Sequence, residues 1–495
     1  MIRKFHIYVL IINISAINSF AQNFFSRNKY HLEVGTYLST SGTTPFWLRS
    51  KQYGIVPFES NFFTVRSSTH KEYDSTTILK KNKLKKFDYG YGLGAVINAG
   101  KKSNFLLQEA YLKVRFGAFE FYAGRRKELV GLADTMLSSG PYVWSGNALP
   151  IPKIQISIPN YTSIVGHGLI SIKGSFAHGW FGNQGETNDF FLHQKTLYGR
   201  IGKPNWRIKL YGGFNHQVQW GGKPNKPYIE PQTEKLITSY GNDFNTYLNV
   251  ITGISLNNEG GTDIKGVPIN DAWNRTGNHL GSIDIGMEIE LPQSTIFIYR
   301  QSIYDDGSLY YLSNINDGIL GLSIKTKNKT GLIGLNIEYL NTTNQGGDLS
   351  SESTIPELRG RDNYFNNTLY NWTYKNNTIG TPFMLPFYTI PVNNFANYSD
   401  LTKFYLPSFI LNNKVRGVIT GVKYNISRYS LTTKASFTKN YGIFGTPLLK
   451  TKQFSILQSS QFMYQKYFFT FNISYDSNTV LNGSLGTQLS LSRFF

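Results

Sequence analysis

The last eleven residues, Leu485 to Phe495 (LGTQLSLSRFF), alternate between two faces. Leu485, Thr487, Leu489, Leu491 and Phe495 share one side, while Gly486, Gln488, Ser490 and Ser492 share the other, and Arg493 alone breaks the pattern near a membrane edge. One face suits lipid, the other a polar lumen, and the chain ends on an aromatic, as the closing strand of an outer-membrane β-barrel does. Period-2 runs bounded by Gly, Pro, Asn and Asp recur throughout. They predict strands over 30–38, 62–70, 88–99, 104–116, 119–125, 153–158, 168–181, 194–202 and 206–220. A second set falls at 279–291, 294–303, 317–325, 330–342, 414–425, 428–439, 452–464, 467–476 and 483–495. The reading is an all-β, transmembrane antiparallel barrel of about eighteen strands, an even number as single-chain bacterial barrels have.

Parity along the chain sorts the connections. If the last strand runs toward the periplasm, the periplasmic turns are 117–118, 159–167, 203–205, 292–293, 326–329, 426–427 and 465–466, nearly all tight. The outward loops are 39–61, 126–152, 182–193, 221–278, 304–316, 343–413 and 440–451. This long–short asymmetry is a barrel property. The Lys-rich segment 71–87 is the exception: either a long periplasmic connection or a continuation of the second strand. Loop 343–413 is too long to be featureless and is expected to fold over or into the mouth.

At the other end, Arg3 and Lys4 precede an apolar run from Phe5 to Ile17 that closes on Ser19-Phe20-Ala21. This predicts a cleaved signal peptide over 1–21 and a single barrel domain over 22–495. Loss of Arg3 and Lys4 takes the formal charge from +20 to +18. With no Cys, the chain has no disulfides, thiolate metal sites or Cys nucleophiles. The 33 Tyr and 35 Phe suit aromatic girdles at two membrane interfaces.

Several short motifs then carry a resemblance. Thr44-Pro45-Phe46-Trp47-Leu48-Arg49 with Gln52-Tyr53-Gly54, Ala123-Gly124-Arg125-Arg126, His167-Gly168-Leu169, His178-Gly179-Trp180-Phe181, Leu192-His193-Gln194-Lys195 and Asn215 to Gly222 occur in order. Together, from about residue 30 onward, the chain resembles the Wzi-type capsule-assembly outer-membrane proteins. The resemblance implies an eighteen-stranded barrel plugged by loops and the N-terminal segment. It also implies a non-catalytic surface lectin that helps attach capsular polysaccharide to a Gram-negative cell. The expected partners are that polysaccharide, outer-membrane lipid and lipopolysaccharide, and the barrel-insertion machinery. A monomer with no cofactor, no metal and no nucleic-acid partner is expected.

The residues themselves suggest where a glycan would bind. Arg125, Arg126 and Lys127 stand where the fifth strand is expected to leave the membrane, and would attract an acidic polymer. The alternative is that they pair with lipopolysaccharide phosphates or lumen carboxylates, with Glu128 in balance. Pyranose rings present C–H faces to aromatics. Trp47 with Arg49 and Tyr53, Trp144, Trp273 with Arg275, and Trp372 with Tyr370 and Tyr374 all fall on predicted outward loops, where they serve as sugar platforms or as loop packing. His167, His178, His193, His216 and His279 read as lumen hydrogen-bonding positions, since no metal-ligand spacing joins them. Asp305-Asp306-Gly307 reads as a turn, and Glu109 as a lumen carboxylate beside Lys113 or Arg115. No Gly-x-Ser-x-Gly elbow is present, which argues against catalysis. A porin for small anionic or neutral solutes uses the same fold and stays open as the alternative.

Overall fold

Each alternating run forms a strand in the computed structural model, which describes residues 28–73, 87–230, 234–254, 275–305, 309–347 and 362–495. The first nine are β1 (Lys29–Ser39), β2 (Phe62–Lys71), β3 (Phe87–Ala99), β4 (Asn104–Phe116), β5 (Phe119–Arg125), β6 (Lys153–Val165), β7 (Ile170–Gln184), β8 (Thr187–Ile201) and β9 (Ile208–Trp220). The others are β10 (Asn278–Glu290), β11 (Ser294–Tyr304), β12 (Gly318–Thr326), β13 (Gly331–Asn341), β14 (Val415–Ile426), β15 (Tyr429–Asn440), β16 (Lys452–Tyr464), β17 (Tyr467–Asp476) and β18 (Ser484–Phe494). Each pairs antiparallel with its sequence neighbour, and β1 closes the ring by pairing both β2 (Val34 opposite Val65) and β18 (Val34 opposite Leu491). Closure removes every edge, which is what a sheet in lipid requires.

Two boundaries differ from the sequence expectation. β6 runs on past residue 158 to Val165, with its register broken between Ile158 and Thr162. Pro159 sits in that irregularity, where its missing N–H breaks no ladder bond. The expected outward loop 182–193 is instead a hairpin: β7 and β8 extend to Gln184 and Thr187 and turn at Gly185, whose φ is 69°. The signal peptide, Trp273 and most of the Lys-rich connection lie outside the described residues.

Lipid-facing positions carry the exposed apolar side chains, among them Phe469, Phe471 and Leu489. The lumen is filled. Residues 40–61, with helix α1 (Phe46–Arg49), residues 126–152 and residues 362–413 fold inward and meet in one buried cluster that includes Trp47, Tyr142, Trp144, Phe365, Trp372, Phe383 and Met384. The part of loop 343–413 within the described residues therefore enters the barrel, as its length suggested. Each large side chain buried in this way contributes on the order of 1.5–3 kcal/mol. A second helix, α2 (Phe244–Thr252), lies elsewhere, and a third, α3 (Tyr398–Phe404), belongs to the 362–413 insert, with Tyr398 and Leu401 packed against the buried cluster.

Candidate functional site

An irregular segment inside a barrel must satisfy its backbone polar groups, and here the lumenal wall does so. Asp284 Oδ2 accepts from Leu132 N at 2.9 Å. Gln301 accepts from Tyr142 N at 2.7 Å and donates to Leu132 O at 2.7 Å. Glu338 Oε2 accepts from Ser139 N at 2.6 Å. Asp476 Oδ2 accepts from Phe46 N at 2.8 Å, and Trp47 Nε1 donates to Ser436 Oγ at 3.2 Å. The inserts also hold one another: Tyr53 N donates to Gly146 O, Ser145 N to Ile379 O and Thr381 N to Tyr142 O, at 2.8, 3.1 and 2.7 Å. The polar half of each strand pattern is thus a set of anchors for a plug.

The cluster Arg125-Arg126-Lys127 is not at the outer rim. β5 pairs only with Ala110–Phe116 of β4, leaving the outer residues of β4 without a β5 partner. β6 starts at Lys153 opposite Gly179, so β7 also rises above it. The chain turns inward halfway up the wall. Gly124 makes the turn, with φ 121° and a position where a β-carbon would collide with the carbonyl of Ala110.

Most of the cluster's charge is compensated there. Arg126 bridges Glu120 at 2.6 Å and Glu128 at 2.7 Å, and Lys153 meets the other Glu128 oxygen at 2.7 Å. Burial alone would raise the Glu128 carboxyl, yet Lys153 and Arg126 hold it down to about 2. Lys127 pairs with Glu109 at 3.3 Å, which also contacts His70 at 3.2 Å. Its ammonium lies 5.5 Å from the Tyr53 ring centroid. Burial, reinforced by Glu109 and Glu128, pushes Tyr53 up to about 12. Arg125 differs: it donates to the neutral Tyr374 hydroxyl at 2.8 Å and lies over that ring, with no carboxylate in ion-pair range among the described residues. Below this knot, on the periplasmic side, a cavity of ≈ 200 Å³ has a mixed lining, with Glu128, Gln155 and Lys173 beside Leu129, Val130 and Ile158.

The structure gathers some expected site residues and separates others. Tyr53, Arg126 and Trp144 line one small enclosed gap, with Arg125 and Lys127 adjoining in sequence. Arg49 is elsewhere, its guanidinium 5.3 Å from the Phe58 ring. Trp47, Trp144 and Trp372 are only 2%, 7% and 1% exposed, so their faces are spent on plug packing and are closed to a polymer. Accessible rings occur instead at Tyr310 and Phe404, 84% and 75% exposed on outward segments. Their loops carry no periodicity that would have singled them out.

The histidines correct the sequence reading as well. His193, His216 and His279 share strand parity with the exposed Leu197, Leu210 and Ile283, so they face outward, not into the lumen. His216 Nε2 lies 2.9 Å from His279 Nδ1, and His279 Nε2 lies 3.0 Å from the Thr276 carbonyl, next to Arg275. α2 covers them: Tyr247 stacks on Trp220 at 5.1 Å, and Val218, Trp220 and Val250 form a cluster apart from the plug. Lys195 caps the helix by donating to the Ile251 carbonyl.

A closed ring of eighteen strands, apolar outside and filled inside, defines an integral outer-membrane β-barrel of the plugged kind. The family model described as capsule assembly protein Wzi matches residues 48–383, and the chain belongs to the Wzi capsule assembly family. Similar solved structures include Pseudomonas aeruginosa OccK5, at 8% identity over 95% of this chain and 98% of that one, with a TM-score of 0.42. Acinetobacter baumannii OccAB4 is likewise 8% identical over 95% and 98%, with a TM-score of 0.44. No curated protein sequence matches the chain.

Proposed function

We propose that this protein binds capsular or related surface polysaccharide at the outer face of the outer membrane and helps attach it to the cell, without catalysing a reaction on it. The observation that carries this reading is the anchored plug: with wall side chains holding inserts across the lumen, the useful surface is the outer one. Membership of a capsule assembly family supports the same direction. The exposed rings of Tyr310 and Phe404 on outward segments are the groups best suited to stack on a glycan, and Arg125, set back halfway up the wall, offers a charge that no carboxylate pairs among the described residues. Arg126 and Lys127 serve the plug through their carboxylate partners.

The test is a strain lacking the protein. Polymer should still be synthesised but shed into the medium, and restoring the gene should return it to the cell; loss of synthesis would refute a retention role. The purified protein should also pass little current in a planar bilayer. Large, steady, ion-selective conductance would favour the porin reading.

A further inference from the structure

Three cations stand side by side on the lipid-facing wall. In the strand registers, Arg416 of β14 is opposite Lys439 of β15, and Lys439 is opposite Lys452 of β16. Their parity is that of the exposed Val418, Phe437 and Phe454, which form the row directly beneath, themselves in register. Directly opposed side chains have β-carbons about 5 Å apart, and like charges so placed repel. Two other cations on the outward face are satisfied within the chain: Lys195 by the Ile251 carbonyl, and Arg300 by the carbonyls of Ile315 and Asp317 at 2.6 and 2.7 Å. The row has no such partner. Among the described residues, none of the three has a carboxylate within ion-pair distance, and Arg416 has only the Tyr441 ring, 5.8 Å away.

Its height is informative. Lys439 is ten residues above Tyr429, the first residue of β15 at the periplasmic end. At about 3.3 Å per residue and a tilt of about 40°, that is roughly 25 Å, the height of the apolar band of an outer-membrane barrel. The three cations therefore sit at the upper edge of the hydrocarbon, where long basic side chains reach up into the headgroups. They lie beside lipid, on the outside of the wall and away from the plugged mouth.

We infer that Arg416, Lys439 and Lys452 form a binding site for the phosphate groups of an outer-leaflet glycolipid. Phosphate oxygens would relieve the repulsion through charge-assisted hydrogen bonds, and the acyl chains would lie on the Val418, Phe437 and Phe454 row below. A water-soluble acidic polymer is the competing occupant, and it lacks the part that this apolar row would hold.

The test uses full-length protein in detergent with bisphosphorylated lipid A, the same lipid dephosphorylated, and a polyuronate. Native mass spectrometry should show the bisphosphorylated lipid retained at least tenfold more tightly than the dephosphorylated form. A triple variant, Arg416→Gln, Lys439→Gln and Lys452→Gln, should abolish that difference, whereas Lys101→Gln with Lys226→Gln should keep it. Folding is checked by faster gel migration before boiling. If the triple variant does not fold, Lys439→Gln alone, at the centre of the row, should lose at least threefold. Equal binding of the two lipids, unchanged affinity in the variants, or displacement of bound lipid by polyuronate would overturn the assignment.

Discussion

Cutting the wall anchors should loosen the plug without opening the barrel. Gln301→Leu with Glu338→Leu keeps approximate volume on β11 and β13 but orphans Tyr142 N–H, Leu132 C=O and Ser139 N–H, all buried. An orphaned buried polar group costs about 1–3 kcal/mol. Three of them make the anchored state less favourable by at least about 3 kcal/mol, or on the order of 100-fold in the equilibrium for release. The natural chain has no Cys, so Ala148→Cys supplies a single reporter at a position 6% exposed. A water-soluble maleimide should modify it slowly in the otherwise natural protein. In the double variant the rate should rise about 100-fold, and brief conductance bursts should appear in bilayers. The strand ladder is untouched, so the unboiled gel mobility should not change. An unaltered labelling rate in a folded double variant would refute the idea that these side chains hold the plug.

Arg125→Ala should cost about 1–3 kcal/mol, because it removes the partner of the buried Tyr374 hydroxyl, and should reduce glycan retention, most at low salt, whereas Arg126→Ala should cost about 3–5 kcal/mol in thermal or denaturant unfolding, because it takes the ion pair from Glu120 and leaves Glu128 with Lys153 alone. Tyr310→Ala and Phe404→Ala should weaken retention with little salt dependence, read by polymer co-sedimentation with cells. The Glu128 carboxyl, held near 2 when folded against an ordinary value of 4.5, contributes stability that is present above about pH 4.5 and is lost as pH falls toward 2. Its upper bound is about 3.5 kcal/mol. Melting between pH 2 and 7 should show that loss in the natural protein and a shallower slope in Glu128→Gln.

The wall was legible because lipid and lumen impose a period of two on every strand, from β1 to Leu485–Phe495. The face of His193 and His216 was legible by the same rule, since each shares parity with an exposed Leu on its strand, but the His-Gly and Asn-His-Gln settings drew attention to polarity instead. The hairpin at Gly185 was hidden by Asn183, Asn188 and Asp189, which look like loop residues. The plug was legible only in outline: the length of loop 343–413 pointed into the mouth, but nothing local marked the contacts that hold the inserts. Phe46 is held by Asp476, 430 positions away, and Tyr142 by Gln301, 159 away, so no local pattern marks them. For the same reason the sequence left Trp47, Trp144 and Trp372 open between sugar platforms and loop packing, and the structure buries all three.

The inserts leave the wall between β1 and β2, between β5 and β6, and between β13 and β14, and they join one another at Tyr53–Gly146, Ser145–Ile379 and Tyr142–Thr381. In mechanical terms these are spokes meeting at a hub, with further ties to β10, β11, β15 and β17. A barrel braced in this way resists being flattened by lateral pressure in the bilayer. On the proposed function, tension on a polymer held at the mouth segments would pass to many strands at once, so that no single hairpin would carry the pull of a hydrated coat.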